Sequence, residues 1–148
     1  MKVHLKQIPP EGLHLEGDED CPLEGLEEED VRCAGPLRYK IDIGVSGSAL
    51  WANGSLYQAA ELRCVSCLEK FVYEIRVPEF AVHTELGGPE TVDLTPFVRE
   101  DLLLNLPAHP RCDRDGDRVC KAKQIATVEQ YTKREADWSA LDKLKLKR

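Results

Sequence analysis

The residues best suited to chemistry in this sequence are its six cysteines: Cys21, Cys33, Cys64, Cys67, Cys112 and Cys120. Cys64-Val65-Ser66-Cys67 places two thiols three positions apart, a spacing at which two thiolates on a tight turn can share one tetrahedral metal ion. Cys112 and Cys120 form a second pair, with a gap wider than the usual two to four residues. Read together, Cys64, Cys67, Cys112 and Cys120 predict a structural zinc site, because four thiolates leave no open position for a substrate. Two other readings of the C-x2-C compete. One is a redox dithiol, which normally sits at a helix N-terminus where the dipole lowers a thiol pKa. The other is a pair of ordinary buried thiols. Cys21 and Cys33 flank an acidic segment with no partner at metal spacing and read as free bystanders.

Other chemistry finds little support. His4, His14, His83 and His109 are scattered, and only His109, near Cys112, offers a substitute metal ligand. There is no phosphate-loop motif and no serine nucleophile elbow. Asp113-Arg114-Asp115-Gly116-Asp117 resembles a calcium loop only in part: it lacks the ligand order and the distal Glu, so a solvated turn is expected. The chain is therefore not expected to be an enzyme.

The elements that must position these cysteines can be read from periodicity. Val3 and Leu5, then Leu13 and Leu15, alternate with polar neighbours as strands do, with Pro9-Pro10 between them. Leu37, Tyr39, Ile41, Ile43 and Val45 alternate as a strand. Ala49 to Leu62 reads as a second, less regular one. Asn53-Gly54 lies inside that second strand; alternatively the two strands pair around Gly44–Gly47 and the chain turns again at Asn53-Gly54, a favoured turn dipeptide. Phe71 to Val77 is a further strand, continued by Phe80 and Val82 past Pro78. Strand therefore flanks the C-x2-C on both sides, which suits a metal knuckle better than a redox motif.

A helix follows. Thr95 is the expected N-cap with Pro96 at the first helical position. Leu94, Val98, Leu102 and Leu106 form a stripe, broadened by Phe97 and Leu103. A second short helix is expected near 137–146, where Trp138, Leu141 and Leu144 recur every three residues. Strands followed by helices predict an α+β fold: an antiparallel β-sheet covered by one central helix, with a Cys knuckle and a short C-terminal helix.

The 148 residues suit a single domain, 1–148, with a mobile acidic loop over about 16–33, including a helical turn near 26–29, and a basic C-terminal tail over about 124–148. Residues 1–33 hold ten acids against three bases, whereas residues 109–148 hold seven acids against eleven bases. The acidic head suits a basic protein and the basic tail suits a polyanion. No run approaches the ~18 apolar residues of a membrane helix, and the start lacks a signal-peptide pattern, so a cytoplasmic protein with no membrane partner is expected.

Several features coincide in one known family. The segment Asp93-Leu94-Thr95-Pro96-Phe97-Val98-Arg99-Glu100-Asp101-Leu102-Leu103-Leu104-Asn105-Leu106-Pro107 is similar to the helix motif of the YceD (DUF177) family. The C-x2-C between strands, the later pair Cys112 and Cys120, and the ending Trp138, Leu141, Leu144, Lys145 match its order. Ser66 stands where that family often carries Arg. The resemblance covers about residues 37–148. It implies a bacterial factor for accumulation of large-subunit (23S) ribosomal RNA, acting in ribosome biogenesis without catalysis. Its partner would be that rRNA, or else a ribosomal protein or assembly factor. The alternatives are a zinc-stabilised protein-interaction module unrelated to ribosomes and a thiol redox protein.

Overall fold

The computed structural model describes residues 1–23, 25, 31–88, 90–114, 116 and 118–123. Its strands are β1 (Lys2–His4), β2 (Leu13–Glu19), β3 (Val31–Ser46), β4 (Ala49–Arg63), β5 (Lys70–Glu85) and β6 (Thr91–Asp93), followed by helix α1 (Thr95–Leu104). The strands β2-β3-β4-β5 form an antiparallel sheet in chain order, and β1 pairs with β6 in a separate two-stranded ribbon. This is the expected α+β arrangement. Helix α1 packs on β5 and β4, and its Val98 and Leu102 are buried together with Leu94.

Alternation decides which face of the sheet is core. Leu37, Ile41 and Ile43 of β3, Leu50, Leu56 and Leu62 of β4, and Phe71, Ile75 and Phe80 of β5 point to one side and are buried. Arg38, Lys40 and Asp42 point to the other and are exposed. The β3–β4 turn is Gly47-Ser48, between the paired Ser46 and Ala49, and Gly47 has φ +61, a value that glycine adopts without a Cβ clash. Asn53-Gly54 is not a turn. It lies inside β4, and a Cβ on Gly54 would meet the Lys40 carbonyl oxygen at 2.0 Å. Local turn preference loses here to backbone packing. Beyond Gly54 the pairing slips, so that Ser55 faces both Pro78 and Glu79. That bulge accommodates Pro78, which cannot donate a ladder bond, on the edge strand of the sheet.

Gln58 is fully buried on the core face of β4, where its Nε2 donates to the carbonyls of Gly35 at 2.8 Å and Ala59 at 2.9 Å. The Gly35 carbonyl lies within the register shift of β3 between Cys33 and Leu37, which removes it from the ladder.

Three expectations need correction. Cys21 and Cys33 are not free thiols: they form a disulfide, with Cα atoms 6.1 Å apart. The adjacency of β2 and β3 brings them together, a long-range relation that spacing alone does not reveal. The acidic segment read as loop over 16–33 is strand at both ends, in β2 to Glu19 and in β3 from Val31, and Leu23 between them is buried in the core. Thr95 is not the N-cap. Leu94 holds that position and Thr95 begins the helix, its N–H donating to the Asp93 carboxylate at 2.9 Å. The Thr95 hydroxyl accepts instead from the Met1 amine at 2.5 Å. The helical turn expected near 26–29, the basic tail of 124–148 and the helix expected at 137–146 lie outside the described residues.

Candidate metal centre

The knuckle is built by the link between β4 and β5. Cys64 follows the last residue of β4, and the Cys64 N–H donates to the Glu69 carbonyl at 2.9 Å, while the Leu68 N–H returns to the Cys64 carbonyl at 2.9 Å. These bonds curl residues 64–69 so that Cys64 and Cys67 face the same point. Closing the curl places Leu68 at φ +60, the left-handed region that disfavours a side chain.

The second pair arrives from the far side of α1. Asn105 ends the helix, its N–H donating to the Asp101 carbonyl at 3.1 Å, and Pro107 and Pro110 prevent it from resuming. The chain then runs back to the knuckle, where the Val65 N–H donates to the Pro110 carbonyl at 2.9 Å. Two side chains of the second pair's segment secure the same junction. Lys121 forms an ion pair with Glu69, and Arg118 reaches Glu69 at 3.8 Å and the Lys70 carbonyl at 3.4 Å.

The result joins all four cysteines predicted as ligands. The sulfurs of Cys64, Cys67, Cys112 and Cys120 lie within 4.8 Å of one another, and those of Cys67 and Cys112 are 3.7 Å apart. An ion with four bonds of ~2.3 Å requires sulfur–sulfur edges of just under ~4 Å, so the set fits one tetrahedral ion after a small contraction. Cys64 and Cys120 are buried, and Cys67 and Cys112 are partly so. His109 is exposed and is not a member of the cluster.

Electrostatics favour a cation at the centre. Burial pushes the Cys64 thiol up, but the N–H groups of Cys112, Cys67 and Ser66, aided by the Cys67 side chain, bring it down to about 6. Burial and the neighbouring sulfurs of Cys67, Cys64 and Cys120 push Cys112 up to about 12. The Glu69 N–H lowers Cys67, yet burial and the sulfurs of Cys64 and Cys120 outweigh it and leave that thiol raised. One sulfur is thus held ready as a thiolate while two neighbours resist a second charge. A divalent ion removes that resistance by attracting all four.

Outside the four cysteines, the expected solvated turn at Asp113 is instead an anchored one. The Asp113 side chain is only 7% exposed and pairs with Lys123 at 2.5 Å and Arg111 at 3.4 Å. Contact with Lys123 holds its carboxyl below the usual range. The cations around the centre therefore answer carboxylates of the same loop system. The Cys21–Cys33 disulfide is separate from this cluster. No helix among the described residues is long and apolar enough to cross a membrane. No protein family, curated protein or solved structure matches this chain.

Proposed function

We propose that this protein is a non-catalytic binding factor in large ribosomal subunit biogenesis, one that promotes accumulation or processing of 23S ribosomal RNA and is stiffened by a structural zinc ion. The observation that carries the non-catalytic part is the closed set Cys64, Cys67, Cys112 and Cys120. Four thiolates saturate a tetrahedral zinc and leave no site for substrate or activated water. Zinc is preferred among divalent ions because an all-thiolate, tetrahedral set is its usual structural environment.

The ribosomal part rests on the resemblance of the segment 93–107 to the YceD helix motif. In the fold, Leu94, Val98 and Leu102 of that segment serve the core, and Glu100 is left at the surface. A binding role also suits the charge layout, with an acidic head and a basic tail able to meet different partners. Deleting the gene in its native host and measuring 23S against 16S rRNA tests this reading, together with sedimentation of the protein on gradients. A lowered 23S share and co-migration with large-subunit precursors are expected. An unchanged ratio without co-migration overturns it.

A second reading has one observation in its favour. Cys64 is drawn down to about 6, in the range of a redox nucleophile, but it is fully buried, so this reading requires the knuckle to open. Turnover of a disulfide substrate by the metal-free protein, lost in Cys64→Ser, would select it.

A further inference from the structure

The core face of the sheet is covered by α1, whereas among the described residues no element packs on the opposite face. That face is not a plain solvated surface. Register places Arg38, Tyr57 and Arg76 side by side across β3, β4 and β5. Neighbouring strands lie ~4.8 Å apart, so the three side chains leave adjacent points of the sheet. A single carboxylate aligns both: Glu74 meets Arg38 at 2.9 Å and Arg76 at 2.5 Å. A cavity of about 570 Å³ opens over this row, bordered by Glu16, Asp18 and Lys40.

A second aromatic lies on the same face of β4. Trp51 pairs with Gly44, and a Cβ on Gly44 would sit 2.3 Å from Trp51 Cζ2. The indole therefore rests against the bare backbone of β3 and is held close to the sheet. Asn53 and Ser55 separate it from Tyr57 on the same side, over a span of ~20 Å along the strand.

We propose that this open face, centred on Arg38, Tyr57 and Arg76 with Trp51 as a second platform, docks single-stranded RNA. The inference deepens the binding role proposed above and rests on it for the choice of RNA. Aromatic rings on a sheet offer stacking surfaces to unstacked bases, and flanking guanidinium groups meet the phosphates between them. A duplex cannot use the platforms, because its bases are already stacked. The chain carries a net charge of −7, but the lining of this cavity is balanced: Glu16, Asp18 and Glu74 stand against Arg38, Lys40 and Arg76, with Lys40 on Glu16 at 2.7 Å and both arginines on Glu74. These pairs are exposed, hence weak, and a phosphate can take the carboxylate's place. Lys123 and Arg111 beside the cysteine cluster are less suited, because the Asp113 that they hold is only 7% exposed.

The test is fluorescence anisotropy with a labelled, mixed-sequence RNA of about 12 nucleotides, single-stranded and as a duplex, on the zinc-loaded full chain. The single strand is expected to bind more tightly than the duplex. Tyr57→Ala is expected to weaken it about tenfold, and Tyr57→Phe to retain it, since stacking needs the ring and not the hydroxyl. The double variant Arg38→Gln/Arg76→Gln is expected to weaken binding and to lower the salt slope by roughly 1.4, about 0.7 per lost phosphate contact. Thermal melts check that each variant is folded, and the arginine pair, being exposed, keeps the test valid if Tyr57→Ala is not. Equal affinity for all variants, tighter duplex binding or no binding overturns the proposal. So does a face whose variants keep RNA affinity but lose a ribosomal protein, which makes it a protein interface. Gradient sedimentation of the same variants separates the two readings. If wild type and variants alike co-migrate with precursors, the surface is wrong and the ribosomal role stands. If RNA binds through this row but nothing co-migrates, the surface stands and the ribosomal role falls.

Discussion

The Val65 N–H donates to the Pro110 carbonyl at 2.9 Å, and this bond joins the first cysteine pair to the second. Val65 lies inside the C-x2-C and Pro110 two residues before Cys112, so one backbone contact sets the approach of both halves of the cluster. Strands β5 and β6 and helix α1 lie in the interval between them. Metal binding would consequently be coupled to helix packing: an ion held by Cys112 and Cys120 would also hold the end of α1 against β4 and β5.

Metal removal should therefore destabilise the whole domain. At a metal concentration ~1,000 times the dissociation constant, binding to the folded state alone contributes about 4 kcal/mol. Cys120→Ser is expected to lose the ion and several degrees or more of melting temperature, and chelation of wild type to do the same. Elemental analysis paired with thermal denaturation measures both. Full thermal stability in the metal-free protein would contradict the coupling.

Acid should release the ion. In the absence of metal, Cys64 titrates near 6 while Cys112 and Cys67 stay protonated at neutral pH. Binding must expel those protons, so affinity rises with pH and falls as protons compete. The depressed Cys64 value is a stabilising contribution present at alkaline pH and lost as pH falls through about 6. A bound cation lowers thiol titration further, placing release below that value. A chromogenic chelator assay across the acid range is expected to show metal retained at neutral pH and liberated in acid.

Leu68 is 65% exposed and at φ +60, so its side chain gives little packing in return for a disfavoured backbone. Leu68→Gly removes a steric cost of about 1–2 kcal/mol, offset in part by the greater freedom of glycine in the unfolded chain. A net gain of about 0.5–1 kcal/mol in denaturant unfolding is expected. A loss of stability would show that Leu68 contributes contacts that outweigh the strain.

Core truncation should separate the two sides of α1. Leu102 is fully buried and Leu104 is 74% exposed. Leu102→Ala is expected to cost about 2–5 kcal/mol, and Leu104→Ala to stay within about 0.5 kcal/mol. Equal effects in urea melts would mean that the helix does not cover the sheet as described.

Gly54→Ala should cost at least ~2 kcal/mol, because its Cβ would meet the backbone oxygen of Lys40 and neither strand can yield without breaking the ladder. Gly87→Ala is the control, since nothing lies within 4 Å of a Cβ there. Similar melting temperatures for the two variants would show that β3 and β4 are more pliant than this packing implies.

What could be read from the sequence alone was whatever depends on near neighbours. Alternation from Leu37 to Val45 and from Phe71 to Val82 marked strands because side chains on a strand point alternately to the core and to water. The four-residue recurrence of Leu94, Val98 and Leu102 marked the helix for the analogous reason. The clustering of Cys64, Cys67, Cys112 and Cys120 was legible because thiol chemistry in pairs admits few uses. Tertiary structure alone decided relations between distant residues. Cys21 and Cys33 meet because β2 lies beside β3, and no local spacing encodes that adjacency. Asn53-Gly54, a turn by local preference, became strand because the Lys40 carbonyl occupies the space where a Cβ would stand. Asp93 cups the helix start in place of Thr95, whose hydroxyl is engaged by the Met1 amine from the far end of the chain. The row of Arg38, Tyr57 and Arg76 likewise exists only in the register of three strands, since residues separated by nineteen positions become neighbours only when the sheet forms.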